Sequence, residues 1–346
     1  MLNPYKKADV SFDWLKDLDE QGCFSRVYLA HDNHLDHDLI IKEIQKDPTS
    51  QPEEYFREAR TVYKNAHPNI VQIQYAAQCQ DNVYIAMPYY EKGSLNGLMI
   101  NRNLSPREII RYSLHFLSAL NHIHSKGLMH FDIKPNNILI SDRNEALLSD
   151  FGLAQLLDMA GRATPDNGYF FHAPPEFYTV GANYNLTFDI YQAGITIHRM
   201  CVGHFSFEQE RSKYATTQQL IQDVLSGDFP CKVYSPHIPK KLANIIKNCL
   251  KVDPNHRYQA VQDILNDLSA ISDGALDWFE INGLITPNIQ EWNKRVDGAT
   301  FKVLYNTITK DVTGQRVYDD GRIRKESKLT SSSCSNQKLY GILKDN

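Results

Sequence analysis

The chain of 346 residues lacks any uninterrupted apolar run near the ~18 residues that a membrane-spanning helix needs. Its amino end, Met-Leu-Asn-Pro-Tyr-Lys-Lys-Ala-Asp-Val, carries no apolar signal core and no glycine at position 2, which predicts neither export nor myristoylation. The expectation is a cytoplasmic protein with no membrane partner. An excess of positive charge is also missing. At a net charge of −4 there is no global basic field to hold nucleic acid. The six cysteines (Cys23, Cys79, Cys201, Cys231, Cys249 and Cys334) form no C-x-x-C pair, so reduced thiols are expected rather than disulfides or a zinc site. The remaining composition, 42% hydrophobic and 23% charged, is that of an ordinary globular chain with room for one large domain and something small.

What is present is concentrated between Gly127 and Ala154. Two carboxylates, Asp132 and Asp150, bracket a lysine, Lys134, and an amide, Asn137. The apolar pairs Ile138-Leu139 and Leu147-Leu148 lie between them and read as a short buried hairpin around Asp142-Arg143-Asn144. This set suits phosphoryl transfer, which needs oxygen ligands for Mg²⁺, a carboxylate near the attacking hydroxyl and a cation near the migrating group.

Elsewhere, Leu18 to Ile44 reads as three strands after a lead-in, and Lys42 closes the apolar run Leu39-Ile40-Ile41. A buried ammonium needs a partner. Glu58, on or beside the helical stripe of Tyr55, Phe56, Ala59, Val62 and Tyr63, is the candidate. His31, His34 and His37 with Asp32, Asp36 and Asp38 match no metal-site spacing and read as a solvated turn. Ser105-Pro106-Arg107-Glu108 is a capping box that opens a helix with its stripe on Ile109, Ile110, Ser113, Phe116, Leu117, Leu120 and Ile123.

His130-Phe131-Asp132-Ile133-Lys134-Pro135-Asn136-Asn137, followed by Asp150-Phe151-Gly152, resembles the H-R-D-x-K-x-x-N and D-F-G segments of eukaryotic-type serine/threonine protein kinases. Other landmarks fall in order. Gly22 and Val27 stand in the phosphate-covering loop, with Glu20 and Ser25 where outer glycines are usual. Lys42 matches V-A-I-K, with Ile40 in place of alanine. Met87-Pro88-Tyr89-Tyr90 resembles the hinge, with Met87 as gatekeeper. Pro174-Pro175-Glu176 resembles A-P-E, Gly168 the glycine of G-T-P-x-Y, and Asp189 the start of the D-x-W-S-x-G helix. Arg257 matches the arginine that pairs with Glu176.

The resemblance covers about residues 10–272 and implies an α+β, bilobal fold: a β-rich small lobe (about 10–87), a hinge (88–93) and a mainly helical large lobe (94–272). It further implies ATP with Mg²⁺, or Mn²⁺, between the lobes. Gly22, Val27, Ile40, Met87, Pro88, Tyr90 and Leu139 would surround the nucleotide. Lys42, held by Glu58, would meet the α- and β-phosphates, and Asn137 and Asp150 the metal. Asp132 would orient and deprotonate the substrate hydroxyl, and Lys134 would neutralise the γ-phosphoryl. His130, Phe151, Glu176, Asp189 and Arg257 would be structural.

Phe131 departs from the arginine of H-R-D that answers a phosphorylated activation loop, so catalysis is expected not to need that phosphorylation. Protein substrates, and possible phosphorylation of the chain itself, are implied. Lys134 and the proline after it imply serine or threonine acceptors, while Tyr169 replaces the threonine that helps place such substrates. Three other readings stay open: a nucleotide-binding scaffold without catalysis, a small-molecule kinase of the aminoglycoside or choline type, and an AMP transferase. Residues 273–346 lie outside the resemblance, as a partner-binding or self-binding extension. There Trp278, Phe279 and Trp292 suggest packing, Phe301 to Tyr305 and Val312 to Tyr318 read as strands with Thr313-Gly314 near a turn, and Ser331 to Ser335 reads as a flexible tail.

Overall fold

The computed structural model describes residues 9–19, 25–46, 56–164, 170–179, 181, 184–272, 274–281 and 288–346. Gly22, Glu20, Cys23, Asp166, Gly168 and Tyr169 lie outside them.

The small lobe is an antiparallel sheet of β1 (Phe12–Asp19), β2 (Ser25–Asp32), β3 (His37–Gln45), β4 (Tyr75–Gln78) and β5 (Asn82–Pro88), in the order β1-β2-β3-β5-β4. Alternation along β3 decides its two faces. Leu39 and Ile41 are buried with Tyr28, Ala30 and Ala86 on one side, while Ile40 and Lys42 point to the other. Register sets Val27 opposite Lys42, and Ile40 opposite Met87. The stretch Asp9 to Trp14, expected as a lead-in, instead holds the start of strand β1, in which Phe12 packs edge-on against Tyr84 and Arg26 forks onto Asp17 at 2.7 Å. Its exposed residues, including Trp14 at 53%, gave the sequence no alternation to read.

Helix α1 (Arg57–Lys64) buries Ala59 and Val62. Tyr63, assigned to its apolar stripe from the sequence, is 79% exposed, since the helix buries only Ala59 and Val62 and Tyr63 falls at the outer edge of that face. The histidine-aspartate turn is exposed at His34, Asp36 and His37, but Asp32, read as solvated, is buried because its carboxylate ties the turn together. Asp32 accepts from the amides of His34 and Leu35 and from the Tyr75 hydroxyl, and the described residues contain no group of three metal-ligating side chains.

The large lobe is helical: α2 (Leu95–Asn101), α3 (Pro106–His124), α4 (Thr187–Val202), α5 (His204–Arg211), α6 (Thr217–Ser226), α7 (Lys240–Cys249) and α8 (Val261–Ser269). The capping box of α3 forms as read, with Ser105 and Glu108 bonding reciprocally, and every residue of the stripe is buried. Two short pairings, β6 (Leu128–Met129) with β9 (Gln155–Leu156) and β7 (Ile138–Ile140) with β8 (Ala146–Leu148), carry the catalytic stretch over this core.

Beyond residue 274, β10 (Phe279–Glu280), β11 (Ile289–Val296), β12 (Ala299–Asn306), β13 (Val312–Tyr318) and β14 (Ile323–Lys325) form a second antiparallel sheet in chain order. Helix α9 (Asn336–Lys344) closes it over Trp278, Trp292, Val303, Leu339 and Leu343. Two sequence expectations fail here. Gly314 sits inside β13, not at a turn, and is glycine there because Leu329 packs where a side chain would stand. Ser331 to Ser335 is no tail: Ser331 bridges Val312, Cys334 is buried, and Ser335 caps α9 through Lys338 N. Trp292 packs against the large lobe, its indole N–H donating to His237 Nδ1 at 3.1 Å. Arg107 and Asp277 pair across the same junction.

Candidate active site

The site lies where β3, α1 and the β6–β9 stretch converge. Lys42 Nζ donates to both oxygens of Glu58, at 3.0 and 2.8 Å, and to Asp150 Oδ1 at 3.4 Å. Burial alone would lower the Lys42 pKa, but Glu58 and Asp150 outweigh it and raise it, so the ammonium is charged. Burial would likewise raise Asp150, and Lys42, His130 and Lys134 hold it below the ordinary carboxylate range instead. Asp150 adopts a left-handed backbone (φ 58°), and a Cβ on Gly152 would stand 3.3 Å from Asp150 Oδ1. Glycine there keeps the space beside the carboxylate open.

Asp132 is held through its Oδ2. Its Oδ2 accepts from Lys134 Nζ and from Asn137 Nδ2, each at 2.8 Å. Asn137 Nδ2 also donates to the Asp132 carbonyl at 2.9 Å, which commits its nitrogen and turns its Oδ1 to other partners. Asn137 Oδ1 and the Asp150 carboxylate are hard oxygens suited to Mg²⁺, a cation that takes one or two protein ligands and completes its shell with phosphates and water. The residues present therefore fit the metal.

The loop is held from below by Asp189 at the head of α4. Its two oxygens accept from His130 N and Phe131 N, both at 2.8 Å, and from His124 Nε2 at 2.8 Å. Burial would raise this carboxyl, but these bonds leave it lowered. Gln192, one turn on, donates to the Phe131 carbonyl and accepts from Ile133 N. The sequence reading missed Gln192 and also His172, which bonds the Ile133 carbonyl. The spacing of 189 and 192 on one helix face was the available signal. His130 packs edge-on against Phe151 and bonds the Ser149 carbonyl. Arg257 forks onto Glu176 at 2.7 and 2.6 Å and lies over the Tyr191 ring.

Phe131 is fully buried at φ 66° and packs edge-on against Phe188. Met129, Leu153, Leu157, Phe177, Tyr184 and Leu186 complete an apolar cluster. Of the nucleotide-facing set, Val27, Ile40, Met87 and Pro88 fall on β2, β3 and β5, and Leu139 lies in β7 opposite Leu147. Tyr90 follows the end of β5, and burial raises its phenol pKa. Val27, Ile40, Met87 and Pro88 thus lie on adjoining strands of one sheet, while Gly22 lies outside the described residues.

The model of the protein kinase domain matches residues 20–267, more than two thirds of the chain. The chain belongs to the protein kinase family. Among similar proteins, serine/threonine-protein kinase PrkC of Bacillus subtilis is 30% identical over 258 residues, 73% of this chain and 39% of that protein. Serine/threonine-protein kinase PknD of Protochlamydia amoebophila is 24% identical over 371 residues, 93% of this chain and 36% of that protein. CBL-interacting serine/threonine-protein kinase 2 of Arabidopsis thaliana is 26% identical over 243 residues, 68% of this chain and 51% of that protein. The chain thus spans between about a third and a half of these relatives. The alignment with PknD reaches past the kinase domain into the second sheet, since it leaves only 7% of the chain uncovered. The expected α+β, bilobal kinase fold is the one found, and the family generally uses ATP and Mg²⁺. No helix among the described residues is long and apolar enough to cross a membrane.

Proposed function

We propose that this chain transfers the γ-phosphoryl group of ATP to serine or threonine hydroxyls of proteins, through a kinase domain at about residues 10–272 followed by an extension at 273–346. The observation that carries this reading is the complete, mutually bonded polar set: Lys42 with Glu58 and Asp150, and Asp132 with Lys134 and Asn137. Drift toward a non-catalytic scaffold has no reason to preserve these six residues together.

Asp132, tied at Oδ2, presents Oδ1 to the acceptor hydroxyl and takes its proton as the oxygen attacks the γ-phosphorus. The bond from phosphorus to the β,γ-bridging oxygen breaks and ADP leaves. Lys134, 2.8 Å from Asp132, spreads positive charge toward the migrating group. Lys42, fixed by Glu58, aligns the α- and β-phosphates. Mg²⁺ held by Asn137 and Asp150 would neutralise charge developing between the β- and γ-phosphates. Little covalent chemistry falls to the protein, so positioning by Asp189 and Gln192 dominates.

Phe131 supports a second element of the proposal. Where an arginine would receive a phosphorylated activation loop, an aromatic cluster closes the space. The loop is then set by packing, and turnover is expected without phosphorylation of the activation segment. Protein substrates, autophosphorylation and a cytoplasmic site of action belong to the same reading. The test is mass spectrometry of a protein acceptor incubated with ATP and Mg²⁺, using wild type and a Thr164→Ala/Tyr169→Phe variant. A gain of phosphate with both enzymes is expected. A gain of nucleotide would point to AMP transfer, and an inactive but folded double variant would overturn the regulatory element.

A further inference from the structure

The second sheet does more than lie beside the large lobe: the first turn of α9 and the segment 232–247 enclose a groove of about 540 Å³. Four of its lining residues are lysines, Lys232, Lys240, Lys241 and Lys247, and none is an aspartate or glutamate. Among the described residues none of the four forms an ion pair. Lys232 is spent on carbonyls, those of Gly227 and Pro230. Burial, with Lys247 beside it, holds the Lys232 ammonium below the ordinary lysine range even though Glu210 and Asp228 lie nearby. Lys240 and Lys241 open α7, which has no acidic residue in its first turn. Cations there oppose the helix dipole and repel one another. A chain with net charge −4 has therefore gathered four cations along one groove whose lining holds no carboxylate, with Glu210 and Asp228 acting on Lys232.

The rest of the groove is not that of a simple ion site. Its floor is apolar, built on buried Ile238, Pro239 and Ile271, and Tyr340 of α9 is half-buried along one wall. Exposed amides, Asn336 and Gln337, complete the rim from the second sheet's side. An apolar floor with a cationic rim accepts a stretch of polypeptide whose side chains pack below while an anionic group meets the ammonium groups. Lysines present compact charges with three donors each, matched by the three acceptor oxygens of a phosphoryl group. None of the lining residues belongs to the catalytic set.

We propose that this groove is a docking site for a phosphorylated polypeptide segment, formed jointly by the large lobe and the C-terminal extension. Charge complementarity commits it to a doubly anionic group, and the apolar floor to a peptide rather than a free ion. The choice of a phosphoryl group rests on the kinase reading, since such groups are the product of that reaction. The segment bound is then a phosphorylated substrate or partner, held while the cleft acts elsewhere on it.

The test is fluorescence anisotropy with the full chain and a labelled peptide bearing two phosphoserines, beside the same peptide unphosphorylated. Lys240→Ala/Lys241→Ala/Lys247→Ala is expected to weaken phosphopeptide binding at least tenfold, and Lys240→Arg/Lys241→Arg/Lys247→Arg to restore most of it. The three lysines are exposed, so unchanged circular dichroism is expected in both variants. Equal binding of the unphosphorylated peptide, or an alanine variant that binds as tightly as wild type, would overturn the proposal. So would binding of anionic phospholipid vesicles or RNA that depends on these lysines when the phosphopeptide does not bind. Asp132→Ala, assayed in parallel, is expected to bind the phosphopeptide as wild type does. The readout is independent of turnover, so a failed kinase reading and a failed docking site give different results.

Discussion

Asp189→Asn is the most informative single perturbation of the catalytic loop. The carboxylate is fully buried and holds the N–H groups of His130 and Phe131, and Phe131 sits at φ 66°, where a bulky residue is strained by about 1–3 kcal/mol. The carboxamide is isosteric but neutral, and one acceptor becomes a donor. A hydrogen bond to a charged group contributes about 1.5–3 kcal/mol, and a buried N–H left facing another donor costs about 1–3 kcal/mol. The expected loss is therefore about 2.5–6 kcal/mol, a large part of the ~5–15 kcal/mol that holds a domain together. Urea unfolding followed by tryptophan fluorescence measures it, and turnover is expected to fall with it because Asp132 follows directly on Phe131. The pH dependence has a definite sign. The folded carboxyl is lowered, so its contribution is present above the unfolded value of about 3.9 and lost as pH falls through the folded value. The gap between wild type and variant should narrow only below about pH 4. A loss under about 1 kcal/mol with full activity would refute the reasoning, since that is no more than one neutral hydrogen bond.

Other outcomes follow from the same contacts. Glu58→Gln removes the charge that fixes Lys42 and should lower kcat/KM about 10–100-fold in steady-state assays, from the ~1.5–3 kcal/mol of a charge-assisted bond. Glu176→Ala strands the buried Arg257 guanidinium and should cost about 3–5 kcal/mol in denaturant unfolding. Trp292→Ala empties the core of the second sheet and its contact with His237, for a loss of about 3–5 kcal/mol. Ser335→Ala removes the cap of α9 and should destabilise by about 0.5–2 kcal/mol, which thermal unfolding of the full chain can resolve.

The catalytic stretch was legible because its chemistry is local. Asp132, Lys134 and Asn137 lie within six residues, and a short loop leaves few ways to arrange them. Lys42 and Glu58 were found through cost, since a lysine at the end of an apolar run demands a carboxylate. What the sequence concealed depended on distant partners. Gln192 reads as an ordinary helix residue until the loop carbonyl of Phe131 is placed beneath it. Strand β1 was missed because it is an exposed edge with no alternation. Ser331 to Ser335 reads as tail by composition, but Cys334 is drawn into a core formed by residues on either side of it, and Ser335 becomes a helix cap. Gly314 likewise has meaning only once Leu329 lies against it.

The measurement that bears most directly on the central claim is Mg²⁺-dependent transfer of γ-labelled phosphate from ATP to the protein itself and to casein. Wild type is run beside Asp132→Ala and Asp150→Ala, with nucleotide binding followed by thermal shift. Transfer by wild type is expected, with loss in both variants and nucleotide binding retained by Asp132→Ala. Nucleotide binding without transfer in wild type, or transfer that survives Asp132→Ala, would contradict the account.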